Sequence, residues 1–348
     1  MSDVSQGLQH KAPGSLRPKK GKIPPLRGAT LAVVVYLIMY ALYGWSEPSA
    51  FSAYAIANLI NNAAPLALAA AGQTLVVLTR GFDLSLAGVI SIANVLTALV
   101  PFEGPGGALI TLLLCMGVGA LFGLVNGYLV AYRGIQSIAA TLGTMIIGQG
   151  IALILMPVPG GSVAEFVSDT LTDTLWQTIP VSALVLAVFA LVWLAIKRTD
   201  TGIALYAIGA DDTAAGLSGI GADDTAAGLS GIGVKWARCK AFILAGCFYG
   251  AAGFMLSAQT ATGDPNSGLP FLLLSFASVA LGGTSLSGGR GGAFGSMVGA
   301  AVLLLMQKML FAMGVSSFYI GFFQGVLLIF AIVCEKLLNR PTRAGASS

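Results

Sequence analysis

The chain has 348 residues, of which 56% are hydrophobic and 9% are charged. Because soluble domains carry about 25% charged residues, this composition excludes a soluble globular protein and indicates an integral membrane protein. The net charge of +4 does not indicate a nucleic-acid partner, because six of the 18 basic residues lie among residues 1–27, as in a cytoplasmic tail that follows the positive-inside rule.

Residues that hold metals or act as nucleophiles are scattered along the chain. His10, the only histidine, lies in the basic tail, and the four cysteines form no C-x-x-C pair. We therefore expect no metal site. A membrane-embedded enzyme would need a nucleophile–base pair or a set of metal ligands near the bilayer surface, so we also expect no enzyme activity and no cofactor in this chain.

Ten apolar segments follow the basic tail of residues 1–28. A spanning helix needs about 20 mostly apolar residues, which predicts an all-α polytopic membrane protein with about ten transmembrane helices. In chain order the segments are residues 29–46, 54–79, 84–101, 107–131, 136–156, 179–196, 239–258, 270–285, 292–313 and 318–335. The second contains Pro65 and the eighth is short and rich in glycine and serine, so a broken or re-entrant helix is the alternative at these two places.

The charges between the segments predict their orientation. With the N-terminus inside, the basic residues between segments fall on the inner side and the outer connections carry only acidic ones. Both termini are then cytoplasmic, the transmembrane domain covers residues 29–335, and residues 336–348 form a second tail. The longest connections are the outer residues 157–178 and the inner residues 197–238.

Glycines recur every four residues in the fourth and ninth segments. This spacing places each set on one helix face, where a neighbouring helix can approach closely. Packing within the chain is the first interpretation and a dimer face is the alternative. Because these segments are the fourth members of two five-helix halves, the pattern also suggests halves of opposite orientation. The glycines are Gly119, Gly123, Gly127, Gly291, Gly295 and Gly299, with a further pair at Gly246 and Gly250.

Uncharged polar side chains occur within the apolar segments, where lipid offers them no partner. They are expected to line a translocation path for a polar uncharged solute, or to bond neighbouring helices. The candidates are Asn61, Asn62, Gln73, Asn94, Asn126 and Gln149. Two charged residues have simpler interpretations: Asp83 as a structural cap at a helix start, and Lys308 as a side chain that reaches the outer surface.

Several ordered motifs are similar to those of one transporter family. Residues 72–79 read GQTLVVLT, residues 81–85 read GFDLS, and residues 126–127 and 141–144 read NG and TLGT. Residues 206–209 read YAIG and residues 281–291 read LGGTSLSGGRG. Over about residues 52–335 this order resembles the ribose/xylose/arabinose-type ABC permease family. Two departures are Arg80, where the family pattern has a glycine, and Phe82, where it has an isoleucine.

The resemblance implies a multi-pass pore subunit of the bacterial inner membrane. In such importers two permeases pair, as identical or related chains, two ATPase subunits dock on the cytoplasmic face and use ATP, and a periplasmic binding protein delivers the solute. The chain is thus predicted to move a sugar or sugar-like polar solute inward by alternating access. A secondary transporter or facilitator is the alternative, but the segments lack the buried carboxylates typical of ion coupling.

The sequence contains no ATPase of its own. Residues 286–290, LSGGR, match the signature of ATP-binding-cassette ATPases, but that signature works beside a G-x-x-x-x-G-K-[ST] loop, which this sequence lacks. The match is therefore interpreted as an inner turn between two apolar segments.

Residues 209–232 are a perfect tandem duplication of GADDTAAGLSGI, within the inner loop that the resemblance assigns to ATPase coupling. Asp-Asp-Thr predicts a helix start and Gly-Ile-Gly a helix end in each copy. A continuous helix through both copies would add ~18 Å, so we expect one copy to dock and the other to loop out or form a second short helix. The predicted coupling residues are Asp211, Asp212, Ala214, Ala215, Gly216, Gly219, Asp223, Asp224, Ala226, Ala227, Gly228 and Gly231.

Overall fold

The computed structural model describes residues 27–218 and 233–316, together with residues 319, 321–326, 329 and 333. Within them the chain is nearly all α-helical, which confirms the predicted class. The elements are α1 (Arg27–Ser46), a 3-10 turn (Pro48–Phe51), α2 (Ala53–Leu78), α3 (Leu86–Leu99), α4 (Gly104–Ala131), α5 (Ser137–Leu155), α6 (Glu165–Thr172), β1 (Thr174–Leu175), β2 (Ile179–Pro180), α7 (Val181–Arg198), α8 (Asp200–Ser218), α9 (Val234–Thr260), α10 (Phe271–Leu281) and α11 (Ala293–Ala312).

Seven helices in the described part of the chain are long and apolar enough to cross a membrane: α1, α2, α4, α5, α7, α9 and α11. Helices α3 and α10 are also apolar but have only 14 and 11 residues. Nine of the ten predicted segments therefore coincide with helices. The tenth, residues 318–335, is helical wherever it is described, and half of it lies outside the described residues.

The two places where a broken helix was considered differ. Helix α2 continues without interruption through Pro65, so that alternative is wrong there. The eighth segment holds only the short helix α10, and residues 282–292 form a turn in which Gly283, Gly288, Gly289 and Gly291 adopt positive φ. Glycine tolerates that backbone conformation at little cost, which explains the glycine-rich composition of this turn.

The glycine faces pack within the chain, as the first interpretation predicted. A Cβ atom built on Gly119 would lie 1.9 Å from the carbonyl oxygen of Gly246, and one on Gly123 would lie 2.2 Å from that of Phe242. Helices α4 and α9 therefore meet backbone to backbone along a glycine seam. A Cβ on Gly299 would likewise lie 2.1 Å from the carbonyl oxygen of Ser278, which brings α11 against α10.

Helices α2 and α9 form the centre of the bundle, and each is covered by helices from the other predicted half. Helix α9 packs against α3 and α4, whereas α2 packs against α10 and α11. The core between them contains Leu68 and Leu75 of α2 with Phe242 and Tyr249 of α9, none of them exposed. Each predicted half thus contributes one central helix that is covered by helices of the other half.

The two longest connections contain more structure than the sequence suggested. The outer residues 157–178 hold helix α6 and strand β1, which pairs antiparallel with β2 so that Thr174 faces Pro180. In the inner connection α8 begins at Asp200, and the Oγ1 atom of Thr199 accepts the N–H of Gly202 at 3.4 Å. An N-cap threonine followed by an acidic residue is a strong helix start.

The predicted helix start within the first repeat copy is therefore wrong. Asp211 and Asp212 lie in the interior of α8, because the helix has already begun at Asp200. The second copy, and with it the predicted second cap at Asp223 and Asp224, lies outside the described residues.

Candidate coupling junction and buried polar network

The loop between α2 and α3, residues 79–85, is the centre of a buried polar network and is called the inner break loop below. Asp83 is fully buried, and its Oδ1 accepts the N–H of Ser85 at 2.9 Å and the Ser85 hydroxyl at 2.5 Å. Because Ser85 directly precedes α3, the carboxyl group holds the start of this helix. Its Oδ2 atom is buried without a hydrogen-bond partner in the described part of the chain.

Side chains from α4 and α5 extend this network. The Asn126 amide donates to the Ser85 hydroxyl at 2.8 Å, and the Thr144 hydroxyl donates to the Asn126 carbonyl oxygen at 2.7 Å. The Thr141 hydroxyl donates to the backbone carbonyl of Phe82 at 3.2 Å. A buried polar group is costly unless it is paired, so these bonds fix the inner break loop to two neighbouring helices.

Gln73 links the same loop to the bundle centre. The Tyr249 hydroxyl lies 2.7 Å from the Gln73 carboxamide. In the amide orientation that satisfies both of its polar atoms, Gln73 also bonds the backbone carbonyl and N–H of Asp83, at 3.1 and 3.3 Å. The structure therefore brings Gln73, Asp83 and Asn126 together, although they are far apart in sequence.

The electrostatics of Asp83 follow from its burial. Desolvation raises the pKa of this carboxyl group to about 6, while the two hydrogen bonds from Ser85 act in the opposite direction. The network thus contains one group whose charge changes within a mildly acidic pH range.

The loop between α9 and α10, residues 261–270, is called the outer break loop and collects two further predicted residues. The Asn94 amide donates to the Ser257 hydroxyl at 2.9 Å and its carbonyl oxygen accepts the N–H of Asp264 at 2.6 Å. The Gln149 amide donates to the backbone carbonyl of Pro265 at 2.5 Å. Asn94 and Gln149 therefore hold one loop from two different helices.

The remaining predicted path residues lie elsewhere on α2. Asn61 bonds the carbonyl of Thr172 at 2.7 Å and is also bonded by Ser182 and Gln259, so it joins α2 to α6, α7 and α9. Asn62 is exposed and bonds only Asn58 of its own helix among the described residues.

Lys308 reaches the same face of α2. Its ammonium group donates to the Asn58 side-chain oxygen at 2.6 Å. Because both residues lie near the ends of their helices that the charge pattern places outside, this contact agrees with a lysine that reaches toward the outer surface.

Helix α8 is tied to the inner ends of the membrane helices at a second site. The Leu78 carbonyl accepts the N–H of Gly289 at 3.1 Å, and the Arg80 Nε donates to the Gly209 carbonyl at 3.2 Å. A Cβ on Gly209 would lie 2.2 Å from both the Leu78 oxygen and the Gly289 nitrogen. We call these four residues the inner junction.

Tyr206 provides a further attachment of α8, one helical turn before Gly209. Its hydroxyl donates to the backbone carbonyl of Gly291 at 2.7 Å, and burial raises its pKa to about 12, so it remains a neutral donor. On the other side, the Lys240 ammonium group donates to the Thr201 hydroxyl at 3.3 Å. Helix α8 is therefore attached to α2, to α9 and to the turn before α11.

The described part of the predicted coupling segment continues directly from this junction. Asp211, Asp212, Ala214, Ala215 and Gly216 lie within α8. The other predicted coupling residues, Gly219, Asp223, Asp224, Ala226, Ala227, Gly228 and Gly231, lie outside the described residues.

Sequence reasoning missed Arg80, Gly209, Tyr206 and Tyr249 as members of these sites. In the sequence Arg80 is recognisable only as a departure from a motif, and Gly209 only as the end of the YAIG motif and the first residue of the repeat. The signal that could have identified this site is Arg80 itself, which stands where the family pattern has a glycine. The glycine-rich residues 282–292 indicate a second segment at which backbones approach closely.

Comparison with known proteins defines the family. Residues 55–332 match the family described as "Branched-chain amino acid transport system / permease component". The chain belongs to this family of permease components. The permease is therefore a transport protein, and with seven candidate spans in the part of the chain that the structure describes it is a multi-pass protein of the bacterial inner (plasma) membrane.

Curated relatives resemble the permease over most of its length. It is 31% identical to the ribose import permease protein of Bacillus subtilis over 321 residues, which cover 90% of this chain and 92% of that protein. It is 26% identical to the D-allose transport system permease protein of Escherichia coli over 309 residues, 88% of this chain and 91% of that protein. A galactofuranose transporter permease protein of Escherichia coli is 33% identical over 252 residues, 71% of this chain and 69% of that protein. No solved structure matches the chain.

Proposed function

We propose that the chain is the transmembrane subunit of an ATP-driven importer for a sugar or a sugar-like polyol. The observation that carries this proposal is the attachment of α8 at the inner junction, because a long cytoplasmic loop fixed to α2 and to the turn before α11 can transmit force from a separate ATPase to the spans. The relatives named above are permeases for ribose, allose and galactofuranose, which supports the solute class.

The proposed topology has ten spans in two five-helix halves, with both termini cytoplasmic. The packing of α2 and α9, each against helices of the other half, supports the division into two halves. The charge pattern supports the orientation. Residues 1–28 and 336–348 are then cytoplasmic tails, residues 29–335 the transmembrane domain, and residues 197–238 the coupling loop.

The proposed partners follow from this arrangement. Two ATPase subunits bind the coupling loop and use the ATP, a periplasmic binding protein delivers the solute, and a second permease, identical or related, completes the pathway. Alternating access moves the spans attached to each coupling loop. The proposed path includes Asn61, Asn62, Gln73, Asn94, Asn126 and Gln149, whose bonds to protein would be exchanged as the helices move.

The family description mentions branched-chain amino acids, and the chemistry of the spans favours a sugar instead. A zwitterionic amino acid requires partners of both charges. The charged side chains of the described spans all lie within about two turns of a helix end, and the other polar groups are amides and hydroxyls. Such groups suit a polar, uncharged solute.

A gradient-driven transporter or facilitator is the second candidate, and buried Asp83 is the observation in its favour, since buried carboxyl groups of transporters often carry protons. Reconstitution decides between the two. The permease is placed in vesicles with its cognate ATPase and binding protein, and uptake of labelled sugar is followed. We expect uptake that requires ATP and stops when either partner is omitted. Uptake that persists without the ATPase, and follows a pH gradient, would support the second candidate.

A further inference from the structure

Arg80 has an unusual backbone for an arginine. Its φ angle is +61°, in the left-handed region that favours glycine and that a bulky side chain enters at a cost. A strained backbone conformation of this kind persists when the contacts of the residue hold it in place. The contacts of the Arg80 side chain show which interactions these are.

The side chain of Arg80 spans the inner junction. Its Nε donates to the Gly209 carbonyl at 3.2 Å, and a Cβ on Gly288 would lie 2.6 Å from its Cγ atom. The guanidinium group is therefore directed at α8 while its stem covers the turn before α11. A glycine at position 80 would satisfy the backbone without strain but would provide neither contact.

At Gly209 the backbone of α8 makes a close contact with the end of α2 and with the turn before α11. Any side chain there would overlap the Leu78 carbonyl and the Gly289 amide, so the helix backbone lies directly on both segments. The same residue begins the duplicated segment, which continues from it along α8. A bond to the Gly209 carbonyl thus fixes the coupling segment at its origin.

We propose that Arg80 is a positioning residue for energy coupling: it fixes α8 to the inner end of α2 and to the turn before α11. This inference rests on the proposed importer function. When the ATPase subunits displace the coupling loop, the Arg80–Gly209 bond makes α2 and α11 move with it. Without the bond α8 moves independently of α2 and α11, so less solute is transported for each ATP that is hydrolysed.

The test uses the full complex of permease, ATPase and binding protein in vesicles, with Arg80→Gly as the principal variant. We expect ATP hydrolysis within about twofold of wild type, and solute taken up per ATP reduced at least fivefold. Arg80→Lys, which retains a charged donor, should recover at least half of the wild-type ratio. Arg133→Ala removes an exposed arginine at the inner end of α4 and should leave the ratio unchanged.

Two further measurements separate positioning from a general structural role. Because glycine relieves the backbone at position 80, the Arg80→Gly permease should have an apparent Tm at or above that of wild type. Hydrogen exchange of the amides of residues 203–210 in the permease should nevertheless become several-fold faster.

The outcomes divide as follows. Unchanged exchange in α8 together with an unchanged solute-to-ATP ratio would overturn the inference. A lowered Tm with parallel losses of hydrolysis and uptake would overturn it as well, because Arg80 would then serve folding alone. Failure of the importer proposal is recognised separately, since wild type itself would show no ATP-dependent uptake; exchange in α8 then decides whether Arg80 positions this helix.

Discussion

The inner and outer break loops use the same local turn in different surroundings. In each, an aspartate accepts the N–H of the residue two positions further on, Asp83 from Ser85 at 2.9 Å and Asp264 from Asn266 at 2.8 Å. Asp83 and Ser85 are buried, whereas Asp264 is half-buried and Asn266 is exposed. The two turns precede α3 and α10, the two short apolar helices.

This difference shows that the same turn has different consequences at the two ends of the bundle. Around the inner loop every lost bond leaves a polar atom away from water, which costs about 1–3 kcal/mol for each atom. At Asp264 and Asn266 of the outer loop water can replace a lost partner. The inner loop should therefore determine stability and pH response, and the outer loop should remain adjustable.

The largest expected effect is that of Asn126→Leu. It removes one partner from each of the buried Ser85 and Thr144 hydroxyls and places an apolar side chain against them, and we expect a loss of about 3 kcal/mol or more. The apparent Tm of the purified permease should fall by at least about 5 °C. Gln149→Leu is the matched variant at the outer loop, where Asn266 is exposed, and should cost less than half as much. Equal losses would show that burial does not distinguish the loops.

The next effect concerns pH. Because burial raises the pKa of Asp83 to about 6, the folded state binds this proton more tightly than the unfolded state. The stability that this group contributes is complete below the ordinary aspartate pKa and is lost as the pH rises through about 6, by an amount on the order of 3 kcal/mol. Thermal unfolding of wild type and Asp83→Asn between pH 4 and 7 measures this slope.

Asp83→Asn should remove the slope while it keeps an oxygen that accepts the Ser85 N–H. Asp264→Asn, the same substitution at the outer loop, is the control and should retain the wild-type slope. A slope that survives in Asp83→Asn would assign the pH response to another group.

A smaller effect is expected from Asn94→Ala, which removes the amide that holds residues 262–264. Asn94 and Ser257 are buried, but the Ser257 hydroxyl keeps its bond to the Gly253 carbonyl and Asp264 is half-buried, so the loss of stability should be about 1 kcal/mol. The loop itself should open more often, and labelling of a cysteine placed at position 266 should become several-fold faster. The same labelling in Asn126→Ala should remain close to wild type if the two loops are independent.

The smallest effect is expected from deletion of residues 221–232, the second repeat copy. The inner junction uses Gly209 and contains no residue of that copy, and the deletion leaves one intact copy in the loop. Reconstituted uptake should stay within about twofold of wild type. A much larger loss would show that the coupling loop needs both copies.

The sequence predicted the helices better than the sites. The lengths of the apolar segments located α2 and α9, and glycines spaced four residues apart identified the faces that meet between α4 and α9. Both signals lie within a single segment of the sequence. The inner junction could not be predicted, because Arg80 and Gly209 are 129 residues apart and meet only in the folded bundle. The predicted start of α8 is wrong because Asp211 and Asp212 are residue types that also favour a helix start. The stronger start signal is Thr199 followed by Asp200, eleven residues earlier.

The seam between α4 and α9 also bears on how the protein is made. Helix α4 ends at Ala131 and its partner begins only at Val234, about a hundred residues later. At translation rates of about 5–20 residues per second, roughly 5–20 s separate the synthesis of α4 from that of α9, and during this time the glycines of α4 lack their partner. The first half therefore cannot complete its packing alone, and the bundle closes only after α9 has been inserted.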